Sequence, residues 1–217
     1  TRGRRTPSIP ASRGCSVNYS DLNALILTYL GFHGKGNGET ETLISEVLPR
    51  VEQAARFRRS EGRFTALPLF LQKEPYLSFL SGCSSVVLEA VTLGGEVDLL
   101  IRRLSKEDVY QSFVADACAS ALLEALADEA EEPLGKQRTY RFCPGYGGSD
   151  ILDVKYILEA VRGDRIGITM QQSGLMLPQK TMAGFVGIGK TAHKSCAGCI
   201  LNEHCAYRKE GRVCYAK

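Results

Sequence analysis

The longest helical pattern in the chain, residues 106–132, is cut off by Pro133-Leu134-Gly135, and the sequence beyond that break is of a different kind. Val109, Phe113, Ala117, Ala121, Leu122, Ala125 and Leu126 recur at helical spacing among many alanines, the best helix formers, so an amphipathic helix is expected there. Upstream, Leu22, Leu25, Ile26, Tyr29 and Leu30 mark a helix stopped by Gly31, with Asp21 where an N-cap belongs. Residues 39–59 carry a second stripe, which Pro49 is expected to kink or divide, and residues 96–104 a further helix. Residues 84–93 form an almost unbroken apolar run of the sort that is buried on both faces of a sheet. Residues 64–71 are β-rich with Pro68 inside, which suits an edge or interrupted strand. After Gly135, β-type runs with short connections dominate. This segregation specifies an α+β fold. Its central twisted, mostly antiparallel sheet would hold residues 86–93, 140–142, 166–170 and 182–188, flanked by helices, with the 106–132 helix packed on it.

The chain has 217 residues, 44% hydrophobic and 24% charged, enough for one globular domain with a sizeable core and a small appendage. A net charge of +3 gives no argument for nucleic acid. Arg2, Arg4, Arg5 and Arg13 fall in a Pro/Ser/Gly-containing stretch, and residues 1–16 are expected to be disordered or carried over from expression. That stretch has no apolar centre, so it is no secretory signal, and no apolar run reaches the roughly 18 residues of a membrane span. A soluble, cytoplasmic protein is expected, with residues 17–191 as its main domain and residues 192–217 as a separate tail.

The tail is set apart by its cysteines. Cys196-x-x-Cys199-x5-Cys205-x8-Cys214 brings four of the eight together at one end. A C-x-x-C turn presents two thiolates to one metal, and two more complete either a tetrahedral zinc site or the corners of a four-iron cluster. Free or oxidised thiols are the third possibility.

Two glycine-rich segments remain. In Arg141-Phe-Cys-Pro-Gly-Tyr-Gly-Gly148, Pro144 fixes one φ while the glycines permit positive φ, so a ligand can touch backbone there. Arg141 adds a permanently charged planar donor set and Tyr146 a ring with a hydroxyl, a pairing suited to a ligand with a carboxylate and a ring system. A surface turn needs none of this. Glu124, mid-helix among small residues, is either at the surface or facing a cation. The other segment, Gly184-Phe-Val-Gly-Ile-Gly-Lys-Thr191, satisfies the phosphate-loop template G-x-x-x-x-G-K-T, but no long amphipathic helix comes after it to hold the phosphates.

In order along the chain, Thr28-Tyr-Leu-Gly-Phe-His-Gly34, Ala90-Val-Thr-Leu-Gly94, the Arg141–Tyr146 turn, Gly167-Ile-Thr169 and the Met176-x-Pro178 segment with its later glycines form a colinear set. The set resembles the S-adenosylmethionine-binding activation domain of cobalamin-dependent methionine synthase, in a short free-standing form whose tail carries a Cys-x-Tyr-Arg element like Cys205-Ala-Tyr-Arg208. The resemblance implies S-adenosylmethionine binding, with Arg141 on the carboxylate, Pro144, Gly145 and Tyr146 offering backbone groups and a ring, and Asp21 or Glu124 on the ammonium. It implies reductive methylation of cob(II)alamin on a separate corrinoid methyltransferase such as methionine synthase, in methionine biosynthesis, with flavodoxin or ferredoxin as reductant. The cobalamin is expected on that partner, since no corrinoid-binding Asp-x-His-x-x-Gly loop occurs in the chain. A tyrosine that longer family members draw from later strands has no counterpart, so one ligand contact is expected to be absent or replaced. Truncating Arg141 is expected to weaken binding while sparing the stability of the unliganded protein. The alternatives are an iron–sulfur or zinc adaptor of a corrinoid system without methyl-donor binding, and a nucleotide-binding enzyme.

Overall fold

The computed structural model describes residues 18–32, 34–192, 196, 203–211 and 213; residues 1–16, Cys199 and Cys214 lie outside them. Helix α1 (Tyr19–Tyr29) is capped by Asn18, whose side chain accepts the Ser20 amide, so Asp21 is an exposed first-turn acid rather than the cap. Helix α2 (Gly38–Ala54), capped by Asn37, runs undivided through Pro49. It stops at Ala54, short of the expected residue 59, because Ala55 is already extended and the chain turns into β1 (Arg58–Phe64). Apart from Phe64, nothing in Arg-Arg-Ser-Glu-Gly-Arg-Phe favours a strand by propensity; β1 exists because it pairs antiparallel with β2 (Ser85–Thr92) from Arg58↔Thr92 to Phe64↔Val86. Of the strand expected at residues 64–71, only Phe64 is in β1, and Leu69–Leu71 is a 3-10 turn leading to α3 (Tyr76–Leu80).

Helix α4 (Gly95–Glu107) and helix α5 (Val109–Glu131) divide the segment expected to be one helix from residue 106. The break is Asp108, whose extended backbone ends α4 while its carboxylate caps α5 by accepting the Tyr110 and Gln111 amides. A 3-10 turn (Ile151–Asp153) opens α6 (Val154–Val161). Strands β3 (Thr169–Met170) and β4 (Met176–Leu177) make a separate two-stranded ladder, β5 (Thr181–Ile188) completes the main sheet, and α7 (Ala206–Lys209) lies in the tail.

The fold is α+β, and the main sheet is antiparallel in the order β1-β2-β5. Two of the four expected strands fall short of it. Residues 140–142 touch β5 through one bridge, Phe142↔Phe185, with Arg138↔Ile188 just upstream. Residues 166–170 leave the sheet because a 3-10 turn (Gly163–Ile166) and Gly167 at φ 84 intervene.

Strand β2 is buried on both faces. Val86, Leu88 and Ala90 pack with Leu71, Tyr76, Phe142, Ile157 and Phe185 under α3 and α6, while Val91 and Leu93 join the larger core of α1, α2, α4 and α5. Glu89 points to the helical face along with Val87 and Val91, and it is fully buried. Among the described residues, no helix is long and apolar enough to cross a membrane.

Candidate functional site

A carboxylate in the middle of a buried strand must meet a cation. Glu89 meets two. Arg59 Nε donates to its Oε2 at 2.8 Å, and Arg141 Nη1 to its Oε1 at 3.3 Å. Register explains the first contact, because Glu61 sits directly opposite Glu89 and Arg59 bonds both at 2.7 Å. The second depends on β5. Gly184 is the β5 residue opposite Glu89, and a Cβ there would lie 2.8 Å from the Phe142 carbonyl and 3.0 Å from the Arg141 side chain. The missing side chain is what lets the 141–143 segment lie against β5 and aim its guanidinium across the sheet. Gly187 serves the same purpose on the other side, where a Cβ would fall 2.5 Å from Cys83 Sγ. The run that fits the phosphate-loop template is thus largely strand, and Lys190 Nζ donates to the Ser81 carbonyl at 2.9 Å.

Helix α5 closes over Arg141 from above. Arg141 Nη2 donates to Glu124 Oε2 at 2.9 Å and Asp128 Oδ1 at 3.0 Å, and Nη1 donates to Glu131 as well as Glu89. Burial alone would lower the Arg141 pKa, but the four carboxylates, Glu131 foremost, raise it by more. Glu131, buried beside Glu89, is pushed up to about 8 by desolvation and by its hydrogen bond to Glu89, against the lowering effect of Arg141. Burial beside a second carboxylate thus favours the protonated form of Glu131. Glu124 is the acid that faces a cation, as its place on the helix suggested, while Arg141 is buried and already engaged. Such burial argues against the expectation that its removal would spare stability.

The turn after Arg141 is built as its residues imply. Gly145, Gly147 and Gly148 all have positive φ, Pro144 is buried, and Tyr146 projects into solvent at 71% exposure. Ser149 holds it shut: its Oγ donates to the Tyr146 carbonyl at 2.7 Å and accepts from the Gly145 amide at 3.0 Å. Gly145 also rests against Ile151, where a Cβ would come within 3.0 Å of the side chain.

Tyr29, at the end of α1, is the member of this group that reasoning from residue types passed over. Partial burial, followed by the field of Glu124, Tyr146 and Asp128, raises its hydroxyl to about 12, with Arg141 opposing. Its signal was present in the Tyr-Leu-Gly-Phe element, where an aromatic precedes the helix-ending glycine. Asp21 lies eight residues before Tyr29, about 12 Å along the helix axis. In the tail, Cys196 and Cys205 are half-buried, and no group of three or more His, Cys, Asp or Glu side chains among the described residues is placed to hold a metal. Cys199 and Cys214 lie outside those residues.

No protein-family model matches this chain, and no curated protein does. Among solved structures, the crystal structure of the MetH reactivation domain bound to AdoHcy matches 97% of this chain and 90% of its own, with a TM-score of 0.63 and 17% sequence identity. The two share a fold.

Proposed function

We propose that this protein binds S-adenosylmethionine at the Arg141 cluster and supports the reductive methylation of cob(II)alamin on a separate corrinoid methyltransferase of the methionine synthase type, in the cytoplasm. One observation carries this: the fold matches nearly all of a reactivation domain that holds AdoHcy, which is S-adenosylmethionine without its methyl group. The arrangement of charge supports it. The ligand's amino-acid end carries both a carboxylate and an ammonium, and Arg141 and Glu124 sit 2.9 Å apart on the solvent side of one cluster. Arg141 binds the carboxylate and Glu124 the ammonium. The open turn at Gly145 and the exposed Tyr146 ring lie beside them for the adenosyl part. Tyr29, which feels the charges of Glu124, Asp128 and Arg141, takes the place of the tyrosine that longer relatives draw from later strands.

The chemistry belongs to cofactor and donor: one electron from a flavodoxin- or ferredoxin-type reductant and the sulfonium methyl reach the partner's cobalt, and AdoHcy is left. This chain contributes binding and orientation. Isothermal titration with S-adenosylmethionine should show one site per chain. An absence of heat and of any thermal shift would sink the proposal and leave the adaptor alternative. ATP in the same titration serves as a control, since ATP binding abolished by Lys190→Ala would restore the nucleotide-binding alternative.

In the tail, the four thiolates of Cys196, Cys199, Cys205 and Cys214 are a donor set that fits zinc or an iron–sulfur cluster. With few apolar residues around them, metal binding would order the segment, since in small thiolate modules binding free energy is folding free energy. Cys196→Ser is expected to abolish metal retention and leave S-adenosylmethionine affinity unchanged. Metal analysis with anaerobic absorption spectra checks the first and identifies the metal. Loss of both properties together would show that tail and ligand site are one unit.

A further inference from the structure

We propose that Asp128 is an internal occupant of the Arg141 guanidinium, one that the carboxylate of an incoming ligand must displace. The inference rests on the assignment of S-adenosylmethionine to this site and adds what controls entry to it.

The two terminal nitrogens of Arg141 keep different company. Nη1 faces Glu89 and Glu131, whose side chains are 1% and 5% exposed, and Nη2 faces Glu124 and Asp128, at 38% and 47%. The buried pair cannot let go. Glu89 is fixed by its strand and held on its other oxygen by Arg59, and a buried carboxylate deprived of its partner is stranded in a medium that solvates it poorly. The exposed pair can turn into water at small cost, because a half-exposed ion pair contributes little net free energy. The guanidinium therefore has a permanent side and an exchangeable side, and an entering carboxylate takes Nη2.

Glu124 and Asp128 stand one turn apart on the same face of α5. Glu124, the longer and less exposed of the two, remains as the ammonium's partner. Asp128, on the shorter arm and the more exposed, is the group that gives way. Its negative charge then acts in two opposing senses, competing with a ligand carboxylate while attracting a ligand cation. Decarboxylated S-adenosylmethionine separates the two, because it keeps the sulfonium and the amine but has no carboxylate to compete.

The experiment is isothermal titration of wild type and Asp128→Asn with both ligands at one ionic strength, with Asp128→Ala as a second variant at this exposed position. Removal of the competitor should tighten S-adenosylmethionine binding about threefold to fivefold, the scale of a half-exposed ion pair. The decarboxylated ligand should bind no tighter. Unchanged or weakened S-adenosylmethionine binding in both variants overturns the inference and leaves the ligand assignment standing. Equal tightening of the two ligands also overturns it, since the effect would not then be competition for the guanidinium. If the wild type binds neither ligand, the assignment of the site falls, and this inference with it.

Discussion

Arg141→Ala is expected to cost about 3–5 kcal/mol of folding stability, in addition to ligand affinity, because it leaves the buried Glu89 and Glu131 without their shared cation. The loss should depend on pH. Glu131 is raised from an ordinary value near 4.5 to about 8, so it binds its proton more tightly folded than unfolded. Its contribution to stability is full below the unfolded value and is lost as pH rises through the folded one. Arg141 opposes that rise; without it the carboxyl moves higher still, and ionising it in the folded state becomes harder. The deficit of the variant relative to wild type should therefore be larger at about pH 8.5 than at about pH 5 in urea denaturation. A deficit independent of pH would mean that the lost stability comes from packing of the arginine stem rather than from the carboxylates. A variant that also replaces Glu89 and Glu131 with leucine should recover much of the loss, since a buried ionic group can often be exchanged for apolar side chains of similar size.

Gly184→Ala is expected to destabilise by about 1–3 kcal/mol and to weaken ligand binding in proportion to the displacement of Arg141. The added Cβ would stand 2.8 Å from the Phe142 carbonyl, which is main chain and cannot rotate away. The 141–143 segment must lift, and the bridge that it makes at Phe142↔Phe185 is what sets the direction of the guanidinium. Thermal denaturation with ligand titration checks both effects. The phosphate-loop template makes the opposite forecast, in which Lys190 rather than the first glycine dominates. Lys190 makes one exposed hydrogen bond, so Lys190→Ala should change stability by no more than about 0.5 kcal/mol.

The α+β class was legible in the alanine-rich helical stretch of α5 and the almost unbroken apolar run of β2. Strand β1 was not. Its arginines and glutamate have no pattern of their own, and it is a strand only because β2 offers a pairing edge along its whole length. Periodicity also carried the long helix back past Asp108, a residue that ends one helix and caps the next. Residue types pointed to Arg141, Glu124 and the Pro144–Tyr146 turn, and the first two meet at 2.9 Å. What they could not give was the depth of Arg141, since that depends on Glu89 from a strand 52 positions upstream. The clue was available: one charged residue inside the apolar run at residues 86–93 requires a buried cation. Asp21, the other acid offered for the ammonium, stands about 12 Å from Tyr29 along α1.

The polar sequence of β1 has one further consequence. A three-stranded sheet offers two outer edges, and on the β5 side the bridges at Arg138 and Phe142 cover one of them. The other is β1, where Arg58 and Arg63 stand exposed along seven residues of extended chain. A second copy approaching that edge would bring its own two arginines against these, and like charges facing one another across a new ladder disfavour it. The strand that gave no propensity signal is thereby a guard against sheet-to-sheet polymerisation. A strand added here would have to set acidic side chains opposite Arg58 and Arg63.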